Sequence, residues 1–169
     1  MSNSLSIRLS RPGDLPALVT IYNQAIRSGN ATGDLDEFTV VQRSPWFEQF
    51  DTENYPLYIA EIENKIVGYC SISPYRKGRK AMQYVAEISY YVDYAFHRQG
   101  VASSLISYAI KDCKRIEKKH LLAILMDSNI ASKTLLEKFH FKQWGLFPNI
   151  IEIDDKRRSQ VIYGLKIRD

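Results

Sequence analysis

The chain has 169 residues, 45% hydrophobic and 25% charged, a size and balance that suit one globular domain and exclude a disordered, collagenous or coiled-coil chain. No apolar run approaches the ~20 residues of a membrane helix, and the opening Met1-Ser2-Asn3-Ser4 lacks the basic and apolar regions of a secretory signal, so a cytoplasmic location is expected. The net charge of +4 suits an anionic small molecule, and the two cysteines and three histidines show no metal-ligand spacing.

Residues 6–9 alternate as a strand. Arg11-Pro12-Gly13-Asp14 breaks it, and Asp14 is placed to cap a helix whose first turn accepts Pro16. Leu15, Leu18, Ile21, Tyr22 and Ala25 recur at helical spacing until Ser28-Gly29-Asn30. A loop with Gly33 leads to a second helix over 40–50, carrying Trp46, Phe47 and Phe50 and expected to break at Pro45. Residues 57–62 and 65–73 read as a hairpin around Glu63-Asn64. A basic loop over 74–79 precedes the most strand-like stretch, 83–93. There Tyr84, Ala86, Ile88, Tyr90 and Val92 share one face, and Val85, Glu87, Ser89 and Tyr91 share the other.

Gly100 opens a long helix to about Glu117, with Val101, Leu105, Tyr108, Ala109, Cys113 and Ile116 as its buried stripe. Residues 121–126 form a continuous apolar run, a strand covered on both faces. Ser128 or Asn129 caps a short helix through Leu135, Leu136 and Phe139. Strands near 141–153 and 161–167, joined by a charged turn over 154–158, complete the chain. The expected fold is a mixed α/β sheet with most of its antiparallel pairs in the middle, in a single domain over 1–169. The basic clusters at 76–80, 111–119 and 156–158 read as solvated faces, and Cys70 and Cys113 as reduced, buried thiols.

The segment from Tyr90 to Ser103 carries chemistry. A strand runs into a tight loop, and the loop opens a helix. Gly100 removes the side chain where a backbone must approach a ligand, and Ala102 keeps the next turn small. Free N–H groups at the helix start make an anion site, Arg98 adds charge, and a pyrophosphate is the natural guest. An ordinary glycine turn would look the same in isolation.

In context the chain resembles the GCN5-related N-acetyltransferases (GNAT). Their pyrophosphate loop reads Gln/Arg-x-x-Gly-x-Gly/Ala, and here it reads His97-x-x-Gly100-x-Ala102. Downstream, residues 129–141, from Asn129 through Ser132, Leu135, Leu136, Glu137 and Lys138 to Phe141, are similar to the family's Asn-x-x-Ser-x-x-Leu-Tyr-Glu-Lys-x-Gly-Phe. Ile21-Tyr22-Asn23, Ala31-Thr32, Trp46-Phe47, Tyr75-Arg76 and residues 84–92 resemble the phosphinothricin N-acetyltransferase group, which acetylates the amino group of small amino-acid-like compounds. Three departures stand out. His97 replaces Gln or Arg, and Leu136 stands where the family has Tyr and the narrower group His. Phe147-Pro148-Asn149-Ile150-Ile151-Glu152 replaces the group's Gly-x-Lys-x-Gly-x-Trp-x-Asp, in a part that shapes the acceptor pocket and a dimer contact.

The resemblance implies a GNAT-type, mostly antiparallel sheet flanked by helices, with a splayed central strand pair. It implies acetyl-CoA as co-substrate without a metal, a small-molecule amine acceptor, no nucleic-acid or membrane partner, and a homodimer. The cofactor is expected at Tyr90, Tyr91, Val92, His97, Arg98, Gln99, Gly100, Val101, Ala102, Ser103, Asn129 and Ser132. The backbone around Tyr91 and Val92 would polarise the thioester carbonyl. Tyr22, Phe38, Trp46, Tyr75, Arg76 and Tyr84 fall on the acceptor side, where Arg76 and Arg79 could grip a carboxylate.

Acyl transfer from a thioester requires a deprotonated amine, a polarised carbonyl and a neutralised thiolate. Glu87 is the candidate base, because desolvation in an apolar, aromatic strand raises a carboxylate's pKa toward the useful range. Tyr84 and Tyr91 could hold it or a relaying water. The alternative is a solvated carboxylate or a structural ion pair. Leucine cannot donate a proton, so His140 or a tyrosine is left for the thiolate. Two other readings stay open: acetylation of a peptide or protein N-terminus, which needs an open groove, and a non-catalytic acyl-CoA-binding module, which would tolerate Leu136.

Overall fold

The computed structural model describes residues 4–169, and residues 1–3, on which the reading of the N-terminus rests, lie outside them. In chain order the elements are β1 (Leu5–Leu9), α1 (Leu15–Ser28), α2 (Val40–Phe47), β2 (Leu57–Ile62), β3 (Lys65–Pro74), β4 (Val85–Val92), α3 (Val101–Asp112), β5 (His120–Met126), α4 (Ile130–Lys138), β6 (Lys142–Ile153) and β7 (Lys156–Lys166). This is the order of strands and helices that periodicity predicts.

The strands form one sheet in the order β1-β2-β3-β4-β5-β7-β6. Every neighbouring pair is antiparallel except β4 and β5. The parallel pair therefore lies in the middle of the sheet, where antiparallel pairs were expected. The reason is the crossover: the chain between β4 and β5 carries a whole helix, and such a connection returns the next strand in the same direction. β4 and β5 pair only where Val85, Ala86 and Glu87 meet His120, Leu121 and Leu122. Beyond Glu87 they separate, which is the expected splay.

Strand alternation sends neighbouring residues to opposite faces. On one face Tyr58, Cys70, Ile72, Ala86 and Ile88 pack beneath α3. On the other, Leu57, Ile59 and Tyr69 pack against Leu18 and Ile21 of α1. Val101, Leu105 and Ala109 of α3 are buried as expected, with Cys113 and Ile116 buried in the turns that follow. Tyr108 is 39% exposed, its ring 5.2 Å from that of Tyr58, and Ile106 is fully buried in its stead. Gly68 lets β3 press close to its neighbours. A Cβ there would lie 3.0 Å from the Tyr91 carbonyl and 3.1 Å from Val101 Cγ1. Both cysteines are free and buried, and burial pushes the Cys113 thiol up to about 12.

Four local expectations change. Asp14 precedes α1, but its carboxylate does not cap that helix. It accepts both arms of the Arg8 fork, at 2.7 and 2.9 Å, and the Arg11 N–H at 2.7 Å. Burial pushes this carboxyl up, but those donors outweigh it and hold it below the usual carboxylate range. α2 is shorter than expected and unbroken. Thr39 and Gln42 close a capping box at its start, and Pro45 sits inside it. Lys118 belongs to a cluster read as solvated, yet it is 4% exposed. Its ammonium donates to the Gln83 carbonyl at 3.1 Å and lies 4.2 Å from the Tyr55 ring centre. Finally, the charged turn contracts to Asp154-Asp155, both at positive φ, because Lys156, Arg157 and Arg158 extend β7 opposite Ile153, Glu152 and Ile151. Among the described residues no helix is long and apolar enough to cross a membrane.

Candidate active site

After Val92 the Asp93 carboxylate accepts the Ala95 N–H at 3.0 Å and caps a short 3-10 turn. The chain then turns into α3 through Arg98 and Gly100, at φ of 59° and 80°. The N–H groups of residues 98–103 make no backbone hydrogen bond of good geometry among the described residues. The first bond into the helix runs from Ser104 N to Gly100 O at 3.0 Å. A curl of free donors at the positive end of α3 is suited to a diphosphate. The His97 ring lies 4.4 Å from that of Tyr94, with Nε2 3.0 Å from the Val92 carbonyl oxygen. Gln99 donates from Nε2 to the Ala95 carbonyl at 3.2 Å. These two side chains brace the loop, and Arg98 is exposed beside it.

The splay continues from this loop. Lys119 N donates to the Tyr84 carbonyl, and Asp93 N donates to the Val67 carbonyl, which fixes the direction of the backbone at both ends of β4. Alternation through the unshifted register then aims the N–H groups of Ile88, Tyr90 and Val92 into the gap, and that of Tyr91 toward β3. Of these, Tyr90 and Val92 lie nearest the loop before α3, a refinement of the expected Tyr91 and Val92. A cavity of about 70 Å3 opens in the gap, lined by Ser89, Tyr90, Tyr91, Asn129, Ser132 and Leu136 among others. Asn129 caps α4, its side-chain oxygen accepting from Ser132 N at 3.2 Å. Leu136 is fully buried. The Tyr90 hydroxyl is buried without a hydrogen bond of good geometry, and burial pushes its phenol up to about 12 while the nearby Ser132 side chain opposes the rise. His140 stands elsewhere: it is exposed, at φ 66°, and closes the C-terminal end of α4 by donating its N–H to Glu137 O at 3.0 Å.

Glu87 occupies the last rung of the β4–β5 ladder, where the gap begins. It is half-buried, and burial lifts its carboxyl above the usual carboxylate range while the Ser89 hydroxyl opposes the rise. Tyr91 shares its face of β4. Its ring is 5.5 Å from Tyr69 and 5.0 Å, edge-on, from Tyr22. Trp46 packs 5.9 Å from Tyr69, and Phe38 lies 6.1 Å from Tyr22. The Tyr22 hydroxyl donates to Asp34 and lies 2.7 Å from Thr32 Oγ1. The Asn23 side chain holds both the N–H and the carbonyl of Phe38 at 2.9 Å.

Tyr22, Phe38 and Trp46 thus come together in one aromatic cluster with Tyr69 and Tyr91. Tyr75 lies just past β3, with the exposed Arg76 guanidinium 5.8 Å from its ring, and Arg79 is exposed as well. Tyr84 does not join the cluster. It precedes β4, 42% exposed, with the Lys119 ammonium 5.4 Å from its ring, so Tyr91 is the tyrosine that accompanies Glu87. Two members of the cluster escaped the sequence reading. Tyr69 arrives from β3, and Arg43 from α2, three positions before Trp46. That spacing puts Arg43 and Trp46 on one helix face, the signal that would have found it.

The acetyltransferase (GNAT) family model matches residues 19–141. YwnH of Bacillus subtilis, a phosphinothricin acetyltransferase-like protein, is 37% identical over 164 residues, 96% of this chain and 99% of that one. The L-methionine sulfoximine/L-methionine sulfone acetyltransferase of Salmonella typhimurium is 26% identical over 146 residues, 86% of this chain and 85% of that one. The structure of yncA from Salmonella typhimurium, an acetyltransferase-like protein with its cofactor acetyl-CoA, superposes at a TM-score of 0.91. It shares 24% identity, covering 99% of this chain and 96% of that one, and shows the same fold. The loop before α3, the splayed β4–β5 pair and these likenesses agree: the chain belongs to the GNAT acetyltransferase family.

Proposed function

We propose that this protein is a single-domain, cytoplasmic, acetyl-CoA-dependent N-acetyltransferase. Its acceptor is the free amino group of a small amino acid or an analogue such as phosphinothricin, methionine sulfone or methionine sulfoximine. The observation that carries this reading is the place of Glu87, half-buried at the rung where β4 and β5 part. The names of the relatives support the acceptor class, and the related structure holding acetyl-CoA supports the co-substrate.

In this reading the free N–H groups of residues 98–103 hold the diphosphate, and Arg98 adds a positive charge. The Tyr90 and Val92 N–H groups face the pantetheine arm and the thioester oxygen. Glu87 takes the ammonium proton, directly or through one water, and the amine attacks the carbonyl carbon. The C–S bond then breaks and the thiolate leaves. With leucine at 136, the buried Tyr90 hydroxyl, beside Ser132 in the cavity wall, is the donor assigned to the thiolate. No step needs a metal. β6 is the outermost strand, and its exposed Trp144, Leu146, Phe147 and Ile150 suit a second copy of the chain.

The test is a thiol-release assay with acetyl-CoA over amino acids, methionine sulfone, methionine sulfoximine, phosphinothricin and short peptides. Turnover confined to small amino acids and analogues is expected. Turnover of peptides alone would overturn the acceptor class. Acetyl-CoA binding without turnover of any amine would overturn catalysis.

A further inference from the structure

Arg43 sits among three aromatic rings. Its guanidinium carbon is 4.2 Å from the Trp46 ring centre, 4.3 Å from that of Tyr22 and 5.0 Å from that of Phe38. The side chain is half-buried and makes no ion pair among the described residues. Its Nε is buried without a hydrogen bond of good geometry, and the polar group that approaches the guanidinium within the cluster is the uncharged Tyr69 hydroxyl, which cannot neutralise it. A guanidinium in such a place is under-satisfied, because aromatic faces offset only part of the cost of removing it from water.

The neighbouring acids do not complete it. Asp34 accepts the Tyr22 hydroxyl, and neither Asp34 nor Glu87 comes within ion-pair distance of Arg43. The aromatic rings lie over the guanidinium, while its N–H donors point from its edge in a planar fork that matches a carboxylate. Arg76 and Arg79, the arginines that the sequence offers for this task, are exposed in a loop. We propose that Arg43 is the anchor for the acceptor's carboxylate. It holds an α-amino acid by a two-pronged contact, with the amine toward Glu87. The proposal rests on the amino-acid reading above and adds the group that selects for a free acid.

A Trp144→Phe background leaves Trp46 as the protein's one tryptophan, in contact with Arg43. In saturating coenzyme A, Trp46 emission is titrated with methionine sulfone and with methionine sulfone carboxamide. The acid is expected to bind about ten- to a hundredfold more tightly than the amide, the range for charge-assisted hydrogen bonds. Arg43→Met should abolish that preference while leaving the amide's affinity within about twofold of its parent. Arg43→Lys, which keeps the charge but not the fork, should retain part of the preference. Equal affinity for acid and amide in the background protein, or no response to either, overturns the proposal. So does an equal loss for both ligands in Arg43→Met and Arg43→Lys, the mark of a purely structural clamp. Thiol release measured on the same samples separates the two readings. If acid and amide are acetylated alike, the transferase stands and the anchor falls. If Trp46 selects the acid and no amine is acetylated, the anchor stands and the transferase falls.

Discussion

The two halves of the proposed site, one assigned to the cofactor and one to the acceptor, are built from different materials. The cofactor half, from Asp93 to Ser104, is main chain: free N–H groups, two positive-φ positions and the start of α3. The acceptor half is side chain: Glu87, Tyr91, Tyr69, Tyr22, Phe38, Trp46 and Arg43, gathered from β4, β3, α1, α2 and the loop between the two helices. A backbone cradle depends on a short run of residues with permitted dihedrals, so one local stretch builds all of it. An aromatic cluster needs several distant segments to arrive together, and one substitution there changes which molecule fits.

That contrast predicts separable defects. The largest belongs to Glu87→Gln, which should lower kcat by about 100- to 10,000-fold, the usual reach of a general base. Acetyl-CoA binding by calorimetry should be unchanged. An equal loss in both would move Glu87 out of the base role and blur the two halves into one. Because burial raises the Glu87 carboxyl and the base must be ionised, kcat/KM should climb with pH through a value above the usual carboxylate range. The glutamine variant should lose that limb. The same shift fixes a sign for stability. A carboxyl raised in the folded state favours folding most below its unfolded value, and that contribution is lost as pH rises through the folded value. Glu87→Gln should therefore gain melting temperature over the parent at pH 8 and gain less, or nothing, at pH 4.

Next in size is Leu136→Ala. This fully buried side chain forms the wall between the cavity and the core, and its truncation should cost about 2–5 kcal/mol in denaturant unfolding. A loss near zero would mean that α4 collapses into the space. Gly100→Ala is smaller. A Cβ there meets no protein atom within 4 Å, so the penalty on the fold is the left-handed backbone, about 1–2 kcal/mol, and the added methyl crowds the place where the diphosphate is proposed to approach. It should appear as weaker acetyl-CoA binding with acceptor KM unmoved. A shifted acceptor KM would show the halves to be coupled through β4. The smallest effect belongs to Arg76→Ala. Exposed beside Tyr75, it should leave acceptor KM within about twofold, the range of a solvated surface charge. A tenfold rise would return the carboxylate to this loop.

Most of the element order was legible because helical and strand periodicities are local. The same holds for the loop before α3 and for the shared face of Glu87, Ser89 and Tyr91, since strand parity needs no knowledge of neighbours. Asp14 shows where such reading stops. Its position is that of a cap, but Arg8 competes for its carboxylate from β1. Lys118 shows the same limit. Nothing nearby in sequence announces that Tyr55 and the Gln83 carbonyl will cover it. Tyr84 was grouped with Glu87 by closeness along the chain, whereas alternation and the start of β4 turn it toward Lys119.

The amino-acid sequence by itself determined the curl of donors before α3 and the parity that puts Glu87 beside Tyr91. Both are properties of a few consecutive backbone dihedrals and of which residues lack a bulky Cβ. Only the tertiary structure decided that β4 and β5 part at Glu87, that Leu136 is a buried wall, and that Arg43 is enclosed by aromatic rings without an anionic partner. Burial and charge pairing are set by segments far apart in the chain, and no local pattern encodes where those segments meet.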